Sequence, residues 1–205
     1  ILLFSITSCS YKKNYNSDFY CEKLEFNCVR ENQNIIFRTS NGNFEVELYG
    51  KTNPLTVTNF IENIKKGIYK DKNFYKIVNY PQIQVIHSGI FSKTFDYIKK
   101  NQNFEKTSLS IPLEIKIINE SEPRYKSEIN DPYEILNLEN VFENGSLAMV
   151  KKGKSNSSST EFFFITNKFP ELDGRYSVFG KVVKGIEVLK TIVNKDYIYE
   201  VVVFD

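Results

Sequence analysis

The sequence predicts a mostly β fold, an antiparallel sheet closed into a barrel and capped by two helices. Three observations carry this expectation. Short β-prone runs recur along the chain, Asn41-Gly42 and Asp173-Gly174 stand between such runs as turn signals, and two stretches read as helices. Many short strands with regular turns suit a barrel, which removes exposed sheet edges by closing on itself.

Taken in order, Ile35-Ile36-Phe37-Arg38-Thr39 and Phe44-Glu45-Val46-Glu47-Leu48-Tyr49 alternate apolar and polar residues on either side of Asn41-Gly42, the pattern of a hairpin. Asn53 is a helix N-cap with Pro54 in the first turn; Leu55, Val57, Phe60, Ile61 and Ile64 form its apolar face, and Gly67 suits its end. Strands are expected at 74–78 and 82–87. The region 89–144 is the least legible, with a short helical turn expected around 132–138. From Gly145 the pattern sharpens: a strand at 146–151, a Ser/Asn-rich loop to Ser159, a strand at 162–166, an amphipathic helix over 185–193 and a last strand over 197–204.

The chain of 205 residues is long enough for one domain with a substantial core. Acids and bases are interleaved with a net charge of +2, so binding to nucleic acid has no electrostatic support. A single histidine and the cysteine spacing support no metal site, and no cofactor motif is present.

The N-terminus reads separately. The apolar run Ile1-Leu2-Leu3-Phe4-Ser5-Ile6 ends in Thr7-Ser8 before Cys9, which looks like the end of a bacterial lipoprotein signal peptide. Residues 1–9 are then the signal remnant and Cys9 the lipidation site, anchoring the protein to a membrane surface without spanning it. The alternative is a short N-terminal strand. Residues 10–33 read as a polar linker around Cys21 and Cys28, which are either a disulfide, as export would allow, or two ordinary thiols.

The most specific stretch is 161–182, EFFFITNKFPELDGRYSVFGKV. Its order resembles the cyclophilins, the barrel-shaped peptidyl-prolyl cis-trans isomerases, where a Gln-Phe-Phe strand is followed by Leu-Asp-Gly and Val-Phe-Gly. Val57-Thr58-Asn59-Phe60, Phe74-Tyr75-Lys76-Ile77-Val78 and Gly145-Ser146-Leu147-Ala148-Met149 fall in the family's order, and the resemblance covers residues 34–205. Ile111-Pro112-Leu113-Glu114-Ile115 and the Glu122-Pro123…Tyr125 pattern look most like cyanobacterial members. The resemblance implies a closed eight-stranded barrel and a catalysed rotation about X-Pro bonds, without nucleophile or cofactor.

Matched position by position, the resemblance places the pocket aromatic at Phe163, the pocket leucine at Leu172 and an aromatic hydroxyl at Tyr176. The family's catalytic arginine falls on Lys76, its helper glutamine on Glu161 and its substrate-binding Ala-Asn pair on Val150-Lys151. Glu171 replaces a tryptophan used for cyclosporin contact, which implies poor cyclosporin binding. After Val78 an insertion leaves two alignments: with a gap, Val85 and His87 take the pocket and second-glutamine positions; without one, Gln84 takes the latter. The active site is thus divergent, and Lys76 and Glu161 are expected either to form an ion pair at the site or to make a surface pair of little consequence.

The leading expectation is an exported, membrane-anchored, monomeric isomerase of the periplasm or thylakoid lumen, acting with weakened activity on proline-containing polypeptides during folding. A catalytically impaired binding module for proline-containing segments is the alternative, and a structural lipoprotein a third.

Overall fold

The structure, a computed structural model, describes residues 15–90 and 110–204. The signal remnant 1–9 and the lipidation site Cys9 lie outside the described residues, as does part of the 89–144 region.

β1 (Gln33–Thr39) and β2 (Gly42–Leu48) form the expected hairpin in register, Phe37 opposite Phe44. Their alternation buries Ile35, Phe37, Phe44, Val46 and Leu48 on one face, as a period of two requires. The helix α2 (Pro54–Lys65) lays Val57, Phe60 and Ile61 on that face. The remaining strands are β3 (Lys72–Asn73), β4 (Lys76–Tyr80), β5 (Ile83–Ser88), β6 (Ser110–Pro112), β7 (Glu114–Ile115), β8 (Arg124–Tyr125), β9 (Ser146–Lys151), β10 (Asn156–Ile165), β11 (Val178–Lys184) and β12 (Tyr197–Val203). Helices α1 (Ser17–Lys23), α3 (Pro132–Ile135) and α4 (Ile186–Thr191) complete the described elements with a 3₁₀ turn at Pro170–Leu172.

Nine strands follow one another in hydrogen-bonded order β3-β12-β1-β2-β11-β9-β10-β5-β4, all antiparallel, and β6 adds to β10 off that path. This is a strongly curled but open sheet. The closed eight-stranded barrel expected from the sequence is therefore corrected. The end strands β3 and β4 are not paired with each other. β3 is only two residues long and pairs with β12, while β4 pairs with β5, so the two ends of the sheet do not close on each other. β7 and β8 form a separate two-stranded sheet.

Three further expectations change. Asp173-Gly174 does not turn a hairpin, because β9 lies between β10 and β11. Asp173 instead accepts a 2.7 Å hydrogen bond from the Phe142 backbone N–H. Gly174 has φ of +75°, and a Cβ there would stand 2.3 Å from the Ile129 carbonyl oxygen, so glycine is required both by conformation and by space. Residues 15–33, the described part of the expected linker, are more than a polar linker: α1 packs Tyr20 and Cys21 against Leu55 of α2, and Cys21 is disulfide-bonded to Cys28 with Cα atoms 5.9 Å apart. Finally, Asn53 stands at the N-cap of α2 without capping it. Its side chain donates to the Glu114 carbonyl at 3.1 Å.

The cap comes from Glu114 on β7, a fully buried carboxylate. The Leu55 and Thr56 N–H groups donate to its two oxygens at 3.2 and 2.8 Å, and the Tyr125 hydroxyl stands 2.7 Å from Oε1. Burial pushes the pKa of Glu114 up, against the pull of these hydrogen bonds. Glu114→Ala would leave the helix donors and the Tyr125 hydroxyl without their acceptor. It is expected to cost about 3 kcal/mol of unfolding free energy, measured by urea denaturation, with Glu114→Gln losing less because it keeps one acceptor oxygen.

Candidate active site

The run Phe162-Phe163-Phe164 near the C-terminal end of β10 is divided by strand alternation. Phe162 and Phe164 point into the main core, where they meet Phe37, Phe44 and Phe60. Phe163 points to the opposite face and joins a second apolar cluster with Val85, Phe142, Ala148, Ile165 and Val178. Above it opens a pocket of about 300 Å³ lined by Lys76, Val78, Tyr80, Val85, His87, Val150, Lys151, Phe163, Phe169, Leu172 and Tyr176. Cross-strand register builds its floor, since Lys76 stands opposite His87 and His87 opposite Phe163.

The rings are ordered around Phe163. His87 stacks on it at 5.4 Å between centroids and an interplanar angle of 27°, and Tyr176 meets it edge-on at 5.2 Å. Phe142 also stacks on it, at 5.8 Å, and is not itself part of the pocket lining. Such contacts fix ring orientation and leave an apolar slot with a polar rim.

Eight of the nine side chains expected at the site, Cys9 aside, come together here: Lys76, His87, Val85, Val150, Lys151, Phe163, Leu172 and Tyr176. His87 occupies the pocket, whereas Gln84 lies in a separate polar cleft with Gln82, Thr166 and Asn167. Glu161 is the exception. Between the Lys151–Ser157 and Met149–Phe162 pairs, Val150 alone faces Ser158, Ser159, Thr160 and Glu161, a large bulge. Gly89 accommodates it: with φ of +104°, a Cβ at this position would stand 2.2 Å from the Thr160 carbonyl oxygen.

The bulge buries Glu161, whose Oε1 accepts a 3.0 Å hydrogen bond from the Tyr75 hydroxyl while its backbone N–H donates to Ser158 Oγ at 3.0 Å. The expected Lys76–Glu161 ion pair is not formed. A neutral hydroxyl satisfies a buried carboxyl without desolvating a second charge. Burial raises the pKa of Glu161 further, against the Tyr75 hydrogen bond and the charge of Lys152.

Lys76 is exposed and makes no ion pair among the described residues. Lys151 is held in an ion pair by Glu128, with its ammonium 6.0 Å from the Tyr176 ring centroid. Val78, Tyr80 and Phe169 also line the pocket but were not anticipated. Val78 and Tyr80 follow Lys76 at intervals of two along β4, a signal available in the sequence; Phe169 reaches in from a loop and carried none.

Burial, and secondly the ammonium of Lys76, pull the pKa of His87 down to about 4, so the ring is neutral at physiological pH. Between about pH 4 and 6.5 the unfolded chain binds a proton that the folded chain does not, so stability rises with pH across that window. The stabilising preference is complete above the unfolded pKa and is lost as the pH falls through about 4. His87→Gln is expected to flatten this part of the stability profile, read by denaturation at a series of pH values.

With this geometry in place, the relatives are informative. Residues 34–202 match the family model described as cyclophilin type peptidyl-prolyl cis-trans isomerase/CLD. The chain is 26% identical over 156 residues to peptidyl-prolyl cis-trans isomerase CYP18-2 of Arabidopsis thaliana, covering 76% of this chain and 77% of that protein. It is 27% identical over 168 residues to a peptidyl-prolyl cis-trans isomerase of Helicobacter pylori, covering 80% and 83%. The fold is similar to the crystal structure of a Cryptosporidium parvum cyclophilin type peptidyl-prolyl cis-trans isomerase, with a TM-score of 0.58 at 23% identity over 85% of this chain and 98% of that one. An apolar slot floored by Phe163, on a curled antiparallel sheet whose sequence matches this family over residues 34–202, leads to one conclusion: the chain belongs to the cyclophilin-type peptidyl-prolyl cis-trans isomerases.

Proposed function

We propose that this isomerase works with Lys76 as its cationic donor, in a divergent site of reduced turnover. The observation that carries the reading is an exposed ammonium, unpaired among the described residues, at the rim of an apolar slot floored by Phe163. Rotation about an X-Pro bond is opposed by amide conjugation, a barrier of about 18–20 kcal/mol for a peptide bond. As the bond twists, the imide nitrogen loses conjugation and becomes a hydrogen-bond acceptor. A donor aimed at it stabilises the twisted state more than either planar one, which is what accelerates the step.

Phe163, Val85, Leu172 and Tyr176 would hold the proline ring and exclude water. His87, neutral and stacked on Phe163, presents a ring N–H and an acceptor beside Lys76. Glu161 would act at one remove, through Tyr75, on the chain segment that carries Lys76. Lysine lacks the planar fork of arginine, so its ammonium is less firmly oriented, and turnover is accordingly lower. Family membership favours catalysis over a binding module that lacks it.

We propose further that the protein is exported to the periplasm or a thylakoid lumen, is anchored through a lipidated Cys9, and assists folding of exported proteins. The Cys21–Cys28 disulfide supports an oxidising compartment. The apolar run before Thr7-Ser8-Cys9 supports the anchor.

Exchange NMR on a short X-Pro peptide tests the catalytic reading. Wild type is expected to accelerate cis-trans exchange, Lys76→Ala to lower the rate about tenfold to hundredfold, and Lys76→Arg to raise it. Peptide binding without exchange enhancement would point to a binding module. The anchor is tested by feeding labelled palmitate to cells of the source organism: label is expected in the protein and should vanish with Cys9→Ser.

A further inference from the structure

We infer that the site selects proline-containing segments with carboxylates within about two residues of the proline, read by Lys76 and Lys151. The inference rests on the isomerase reading of the same pocket and adds the substrate class.

Among the described residues, two lysines and no carboxylate line the pocket. Four acids of the described residues that belong to neighbouring segments are otherwise engaged or outside it. Glu128 is held by Lys151, Glu161 is buried against Tyr75 and Ser158, and Asp173 accepts from the Phe142 N–H. Glu171, on the adjoining 3₁₀ turn, is exposed and is not among the lining residues. The field at the rim is therefore positive, and it reaches His87, whose protonation the Lys76 ammonium disfavours.

The two lysines are also suitably separated. Lys76 is on β4 and Lys151 on β9, three strand spacings apart across β5 and β10. At about 4.8 Å per spacing this is roughly 14 Å across the sheet, and because Lys76 lies in register with His87, Phe163 and Ala148, Lys151 also stands about 10 Å further along β9. The two positions are thus roughly 17 Å apart, the reach of about five residues of extended chain. A segment seated with its proline over Phe163 thus passes a cation on each flank. Among the described residues Lys76 has no ion-pair partner, and its ammonium carries three N–H donors, so it can meet a flanking carboxylate and still turn one donor to the imide nitrogen. Lys151 must exchange Glu128 for the incoming carboxylate, so Glu128 acts as an internal competitor that weakens the selection on that side.

The test compares otherwise identical peptides bearing Glu, Gln or Lys on one or both flanks of a single proline, with kcat/KM from exchange NMR at low and high salt. The Glu peptides are expected to exceed the Gln peptides by up to about fivefold per flank at low salt, with the advantage shrinking as salt rises. Glu128→Gln is expected to leave the Gln peptides unchanged and widen the advantage of Glu. Equal values for the three peptides at low salt, or a preference for Lys, would overturn the inference. If no peptide is turned over, the isomerase reading fails by itself. Dissociation constants for the same peptides then decide the charge preference, which stands if Glu binds tightest and falls if it does not.

Discussion

The structure turns on the buried carboxylate of Glu114. An ionisable group taken wholly out of water carries a desolvation penalty of several kcal/mol unless its oxygens are met by donors. Here the donors come from separate parts of the chain: the first turn of α2, whose N-terminus carries partial positive charge, and Tyr125 of β8. Its own backbone is gripped too, the N–H donating to Ser177 Oγ at 2.9 Å and the carbonyl accepting from Asn53. Only one mutual placement of these segments satisfies all of these groups. Ser177 follows Tyr176 in the chain, so the same network locates a wall of the pocket. Tyr125 extends it to Ser17, 2.9 Å away at the start of α1, and so to the disulfide-bonded N-terminal segment.

Within that frame the site separates its charges. Glu161 is turned away from Lys76 by the β10 bulge and satisfied by a hydroxyl, and Glu128 is occupied by Lys151. What remains at the rim is an ammonium without an ion-pair partner among the described residues, beside an imidazole too buried to protonate readily. An ion pair at that point would have competed with substrate for the same donors. Its absence leaves them available.

The sequence made the locally determined parts of the fold legible. The β1–β2 hairpin, α2 and most strands after Gly145 follow from alternation, helical spacing and turn residues, which depend on neighbours in the chain. β10 is longer than expected, beginning at Asn156 within the Ser/Asn-rich stretch read as a loop, where pairing with β6 and β9 holds polar residues in a strand. Non-local choices were hidden. Asp173-Gly174 has the composition of a hairpin turn, yet its flanking strands are kept apart by β9 and its carboxylate serves Phe142. Asn53 has the composition of a cap, yet Glu114, far along the chain, takes that role. Most pocket residues were found because they stand in strands with an ordered motif. Glu161 was misdirected because a bulge of several residues leaves no mark in the alternation, and Phe169 was missed because it comes from a loop.

The divided phenylalanine run has an evolutionary consequence. Because β10 is read from both faces, mutations at Phe163 and its cross-strand neighbours draw on a different set of contacts from those at Phe162 and Phe164. Ligand preference can therefore drift by point substitution while the interior stays intact. Length is another matter. One residue gained or lost within 162–165 would exchange the two faces, sending core phenylalanines to the groove and emptying the interior. The irregular turn at 158–161 is the neighbouring place where an indel could be absorbed without inverting the strand. Lineages descended from this chain should thus vary freely in the letters of that strand but hardly at all in its spacing.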